Sequence, residues 1–188
     1  MFLQDAAASG MAEIQLGQLA LSTSSDDKVK ALAQSVVDDH TKANDALKSL
    51  AESKKVTLPA APTSDAQKQG EKLKALKGSQ FDEAWSKDMV QDHNDAIKAF
   101  TKEAKQTKDP DIQKFVAATL PALKAHLDAS QQLASVPDAR DKAMDQATKS
   151  IGSAMDAMPS AAATSAAKPS ATTIAPATVP NAAPAAKH

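Results

Sequence analysis

The sequence predicts an all-α protein, a four-helix bundle with a long connection between its second and third helices. Three observations predict it. Alanine, lysine, aspartate and leucine dominate a chain of 188 residues that has only 3% aromatics and 5 glycines, a composition of helices and not of sheets. Apolar residues recur at alternating spacings of three and four along four long segments, the period of a helix face. Acidic and basic residues are interspersed, with a formal net charge of −1, as on solvated helical surfaces.

The first helix is expected over about 2–22, with Gly10 and Gly17 on the same face as Leu3, Ile14 and Leu21. Ser24, Ser25 and Asp26 then offer an N-cap for a second helix over about 26–54. Its stripe reads Val29, Ala33, Val36, His40, Ala43, Leu47 and Leu50. The linker VTLPAAPTS cannot be helical between Pro59 and Pro62. A short helix around 65–77 is expected to end at Gly78.

The third long helix, about 80–107, aligns Phe81, Trp85, Met89, His93, Ala96, Phe100 and Ala104. Lys108-Asp109-Pro110 makes the next turn, with Asp109 as cap and Pro110 at the first helical position. The fourth, about 110–135, lines up Ile112, Val116, Thr119, Leu123, His126, Ser130 and Leu133, with Pro121 inside it expected to kink or loosen it. The stretch between the second and third long helices is long enough to run the bundle's length, as a ferritin-like crossover does. The bundle thus takes up 1–136.

A weaker amphipathic segment follows at 137–158, carrying Met144, Ala147, Ile151 and Met155. From Pro159 to His188 the chain is almost entirely Ala, Pro, Ser and Thr, too poor in apolar bulk to offset its ordering entropy. That tail, 159–188, reads as disordered, with a tether at an envelope surface as its functional alternative.

Several function classes drop out. The balanced charge gives no footprint for nucleic acid. No apolar run reaches the roughly 18 residues a membrane-spanning helix needs. The absence of cysteine removes disulfides, thiolate metal sites and cysteine nucleophiles. No glycine-rich phosphate loop, G-x-S-x-G or H-E-x-x-H is present. The chain opens directly into helical sequence, FLQDAAASGMAEI, without the charged and apolar regions of a signal peptide, as expected of a cytosolic protein or of one whose signal has been removed.

The chemistry that remains lies in a repeated pattern, V-x-D-H-x-x-A, written VDDHTKA at 37–43 and VQDHNDA at 90–96. His40, His93 and His126 each fall on an apolar stripe, about 20–25 Å from their helix ends at 1.5 Å per residue. Glu13, on the flank of the first helix's stripe, lies about 16 Å from its start, near the same level. Four helices therefore bring one polar side chain each to a common layer. Unpaired buried polar groups cost roughly 1–3 kcal/mol each, so the layer needs partners. It is a metal site, a structural polar network, or a partly solvated set.

For a metal, imidazoles and one carboxylate suit a single Zn, Cu or Fe ion. A di-iron centre needs two Glu-x-x-His pairs, and here Val37, Val90 and Leu123 stand three residues before the histidines. A di-metal redox enzyme is accordingly the least favoured alternative. Asp39 and Asp92 point about 100° away from the adjacent histidines and are expected to support ligands from behind or to face solvent. Trp85, Phe81 and Phe100 read as core.

The stretches EIQLGQLA (13–20), VVDDHTKANDAL (36–47), FDEAWSKDMVQDHNDAIKAF (81–100) and TLPALKAHLDASQQL (119–133) closely resemble the family known as domain of unknown function 4142. The resemblance covers about residues 1–135 and carries over at Glu13, His40, His93, Pro121 and His126. Trp85 stands where the family more usually has tyrosine, and the alanine–proline tail lies outside the pattern. The resemblance implies a ferritin-like fold and a bacterial protein of the periplasm or cell envelope. It implies no established activity. The expectation is thus an exported bundle that binds one transition metal, in metal binding or stress protection, and is not an enzyme. The alternative is a structural or interaction module with a metal-free His/Glu network. Neither a partner nor an oligomeric state is legible.

Overall fold

A computed structural model of the chain describes residues 1–135. Five helices and no strand occur among them: α1 (Phe2–Thr23), α2 (Asp27–Ser53), α3 (Ser64–Lys74), α4 (Gly78–Gln106) and α5 (Pro110–Ser135). The segment at 137–158 and the tail at 159–188 lie outside the described residues. Among the described residues no helix is long and apolar enough to cross a membrane.

The helix starts follow local chemistry. Asp26 caps α2 by accepting from the backbone N–H groups of Lys28 and Val29, and Ser24 Oγ accepts from Asp26 N. Asp109 caps α5 the same way, through Asp111 N and Ile112 N, with Pro110 at the first helical position. Thr63 caps α3 through Ala66 N.

One helix end departs from expectation, and another closes as expected through an unexpected residue. The short helix stops at Lys74 with Ala75 at its cap, and Gly78 does not end it. Gly78 instead opens α4 with φ +55, where its missing Cβ lets the chain turn from one helix into the next. At the end of α2, Lys55 takes a φ of 55, and Val56 N reaches Ala51 O while Lys55 N reaches Glu52 O. This is a Schellman closure with lysine where glycine is usual. Pro121 does not break α5, which runs on to Ser135; the proline lies on the exposed side, where the carbonyl it leaves without a donor can meet water.

Packing arranges the four long helices around two apolar clusters. Leu3 and Ala7 of α1, Leu47 of α2, Phe100 of α4, and Phe115, Val116 and Leu123 of α5 form one. Leu16 and Ala20 of α1, Val29, Leu32 and Val36 of α2, and Phe81, Trp85 and Met89 of α4 form the other, joined by Leu73 of α3. The residue order shows α1 and α5 running one way and α2 and α4 the other. Parallel α2 and α4 require a return connection. Val56 and Leu58, just after α2, pack on the first cluster, and Leu73 of α3 packs in the second, so the connection spans the distance between them. Trp85, fully buried, donates its indole N–H to Leu16 O at 3.0 Å. Close approach of α1 and α2 depends on Gly17, where a Cβ would stand 2.7 Å from Val37 Cγ2 and 3.1 Å from Ala33 O.

Candidate metal centre

Between the two apolar clusters each long helix contributes one polar side chain. Glu13 lies on α1 between Ala7 and Leu16, His40 on α2 between Val36 and Leu47, His93 on α4 between Met89 and Phe100, and His126 on α5 beyond Leu123. All four are buried, with 1% of Glu13 and none of His93 exposed. The three imidazoles form a triangle with ring centroids 5.2–5.6 Å apart. One ligand nitrogen from each lies within 4.8 Å of the others.

Glu13 faces this triangle. Its Oε1 accepts from Ser9 Oγ at 3.2 Å. Its Oε2 lies 2.6 Å from His40 Nε2 and 3.9 Å from His93 Nε2. Oε2 is fully buried, and the 2.6 Å contact with His40 is its nearest polar pairing. Burial acts to raise the Glu13 pKa, but His40, His93 and Ser9 together outweigh it and hold the carboxyl below its ordinary value. The group is a carboxylate.

Hydrogen positions follow from the partners. His93 Nδ1 faces Met89 O at 2.9 Å, and a carbonyl only accepts, so Nδ1 carries the hydrogen and Nε2 offers a lone pair to the centre. That Nε2 lies 3.3 Å from His126 Nδ1. On its other side, His126 Nε2 meets Asp39 Oδ2 at 3.3 Å and Ser35 Oγ at 3.2 Å. His93 thus calls for a hydrogen on His126 Nδ1, while Asp39 calls for one on Nε2. A neutral imidazole has one hydrogen, so both demands are met only by imidazolium. Burial opposes that charge, aided by the neighbouring His93 and His40, and lowers the His126 pKa to about 4. Burial likewise lowers His93.

Asp39 and Asp92 separate here. Asp39, half-buried on α2, backs His126 across the helix interface, not its own neighbour His40. Asp92 supports no imidazole: its hydrogen-bond partner is Gln69 Nε2 of α3, at 3.2 Å. Burial first, then the charges of Glu13 and Asp88, raise its pKa to about 7. The sequence reading missed Ser9, Ser35 and the Met89 carbonyl. Ser9 was findable, since it precedes Glu13 by one helical turn. Ser35 touches His126 only through the packing of α2 on α5, which no spacing along the chain reports.

The model for the family described as domain of unknown function 4142 matches residues 1–133. The chain belongs to that family. No curated protein matches the chain in sequence. Two solved structures resemble this member of the domain of unknown function 4142 family in fold. CopM in its Cu(II)-bound form has 16% identity and a TM-score of 0.62, with 71% of this chain and 93% of that one covered. CopM in its Ag-bound form, obtained by co-crystallization, has 20% identity and a TM-score of 0.58, with 70% and 90% covered. At these identities the likeness is one of fold.

Proposed function

We propose that this protein is a ferritin-like four-helix bundle that binds one transition-metal ion through His40, His93, His126 and Glu13, for metal binding or protection under metal stress. The observation that carries the reading is the conflict over the His126 hydrogen. A cation at the centre takes the lone pairs of His93 Nε2 and His126 Nδ1, and leaves the His126 Nε2 hydrogen to Asp39, the carboxylate–histidine–metal arrangement of metalloproteins. Two nitrogens on one ion, each about 2.0–2.1 Å from it, stand about 3.3 Å apart at a tetrahedral angle. The separation of His93 Nε2 and His126 Nδ1 is 3.3 Å. The same ion would give Glu13 Oε2 a cation beside its His40 and His93 contacts.

Three imidazoles and a carboxylate suit Cu(II), Zn(II) or Fe(II), and among these copper binds tightest by the usual order of divalent affinities. The Cu(II)-bound form of a protein of similar fold agrees with that order. The test is a thermal melt with and without metal. We expect one equivalent of Cu(II) or Zn(II) to raise Tm, and His93→Ala or the isosteric Glu13→Gln to remove most of the rise. No shift with any divalent metal in the wild type sinks the proposal. An envelope location belongs to the same reading, and fractionation of the native host that finds the protein only in the cytoplasm counts against it.

A second reading has its own observation. With His126 Nδ1–H donating to His93 Nε2 and Ser35 Oγ–H to His126 Nε2, Ser35, His126, His93 and the Met89 carbonyl form a hydrogen-bond chain that needs no metal. The layer then fixes helix register in a structural or interaction module. Elemental analysis of protein purified without chelator separates the two.

A further inference from the structure

Two carboxylates reach the polar layer from opposite sides. Glu13 enters it directly, and its partners there are Ser9, His40 and His93. Asp39 acts from behind: its Oδ2 lies 3.3 Å from His126 Nε2, one imidazole ring away from the Nδ1 that faces the centre. The Asp39 side chain is 38% exposed, so it joins the buried layer to the surface. Lys42 Nζ lies 3.7 Å from Asp39 Oδ1, but that lysine is 78% exposed and water screens it. Asp92 is bonded to Gln69 and raised to about 7, first by burial, so it carries its charge least readily of the three acids.

We propose that Glu13 and Asp39 together make the site selective for the charge of its ion: it takes a divalent cation and discriminates against monovalent Cu(I) and Ag(I), with Asp39 setting the margin. The inference rests on the metal reading above and adds the charge class of the ion. Three neutral imidazoles, two carboxylates and a divalent cation sum to neutrality. A monovalent cation leaves one negative charge uncompensated beside groups that are nine-tenths or more buried, and an uncompensated charge there is costly. His126 transmits the effect of Asp39. With its Nδ1 on the ion, its Nε2–H donates to Asp39, which raises the basicity of the ring. A doubly charged ion gains more from that negative charge than a singly charged one, because Coulomb energy scales with the product of the charges.

The experiment is voltammetry of the copper-loaded full-length protein, in which the electrode supplies the one electron that converts Cu(II) to Cu(I). A site that holds Cu(II) more tightly than Cu(I) has a midpoint potential below that of aqueous copper, and we expect this of the wild type. Asp39→Asn keeps the size of the side chain and an oxygen for the His126 hydrogen, but loses the charge. It is expected to shift the preference towards Cu(I) at least tenfold, which raises the potential by about 59 mV for one electron. Ser35→Ala removes the other contact of His126 Nε2 and no charge, so its potential should match the wild type. Titration of the metal-free protein with Zn(II) and Ag(I) should show the same shift in the ratio of their dissociation constants. A wild-type potential above the aqueous couple overturns the selectivity, while one copper per chain leaves the metal reading intact. An Asp39→Asn potential equal to wild type, or one that Ser35→Ala reproduces, overturns the role of Asp39. A variant Asp39→Asn that loses Cu(II) but takes up Ag(I) supports the proposal, and one that loses both overturns it. If the wild type binds no metal at all, the metal reading fails and this inference falls with it.

Discussion

Asp92 is one residue from His93 yet sits in a different neighbourhood, against Gln69 and Asp88, and that difference has opposite consequences for stability. His126 titrates at about 4 in the fold against 6.5 when free, so between those values the unfolded chain binds more protons. Stability then rises with pH across that window and is lost as pH falls through it. His93, also lowered by burial, acts in the same direction. Asp92 is raised from 3.8 to about 7, so there the folded chain binds more protons and stability falls as pH rises. The two effects oppose each other over most of the range. We expect metal-free wild type to show a shallow dependence of Tm on pH between about 4 and 6.5, and a fall towards about 7. Asp92→Asn removes the opposing slope: Tm should rise steadily to about pH 6.5 and then level off. At pH 8 the variant should be more stable than wild type by about 1–2 kcal/mol, allowing for solvent screening of a half-buried carboxyl, and equal to it below about pH 3.5. Denaturant melts across pH in the presence of a chelator check both, and a variant less stable at pH 8 contradicts the assignment.

The starts of α2 and α5 were legible because each is announced by a side chain that satisfies orphan N–H groups, Asp26 for α2 and Asp109 before Pro110 for α5. The ends of α1, α2 and α4 were legible to within a residue, but the end of the short α3 and the turn that closes α2 were not, and the reason is physical. A Schellman closure is stabilised by backbone hydrogen bonds, and any residue willing to bear a positive φ can occupy it, so Lys55 gave no signal and Gly78 gave a misleading one. A lysine in the left-handed region costs roughly 1 kcal/mol relative to glycine. Lys55→Gly is therefore expected to stabilise the protein by about 0.5–1 kcal/mol, with metal affinity unchanged because the site is far along α2. Chemical denaturation checks it, and a destabilised Lys55→Gly shows that the closure does not form. The stripes were readable for the same reason as the caps: Val36, His40 and Leu47 are all buried as their spacing requires. The pairing of His126 with Asp39 and Ser35 was not, because it depends on how α2 and α5 settle against each other.

At the scale of the whole molecule, the polar layer divides one apolar interior into two, and this arrangement predicts its own replacement. Glu13, His40, His93 and His126 are each nine-tenths or more buried, and desolvating such groups is offset only in part by contacts that leave Glu13 Oε2 to one imidazole at close range and His126 with contradictory neighbours. Apolar residues of similar volume would join the cluster around Leu47 and Phe100 to the cluster around Val36 and Met89 into a continuous core. Replacing a buried charged or polar set by well-packed apolar side chains is often neutral or stabilising by about 1–4 kcal/mol, whereas removing one partner is costly. The quadruple variant Glu13→Leu, His40→Leu, His93→Met, His126→Leu is thus expected to melt at or above wild type in metal-free buffer, while Glu13→Leu alone melts well below it. With metal present the gap closes, and it reverses wherever the apolar gain is below about 2.7 kcal/mol. Wild type at 100 times its dissociation constant gains about 2.7 kcal/mol from the ligand, and the quadruple variant gains nothing. A quadruple variant that unfolds without metal would show that the layer's hydrogen bonds, and not the surrounding apolar packing, hold the helices in register. A quadruple variant that is stable but still gains Tm with copper would place the metal elsewhere in the chain. Stability without metal response, in the same molecule, is the outcome that ties the layer to the ion and explains why a fold that is more stable without these four residues has them.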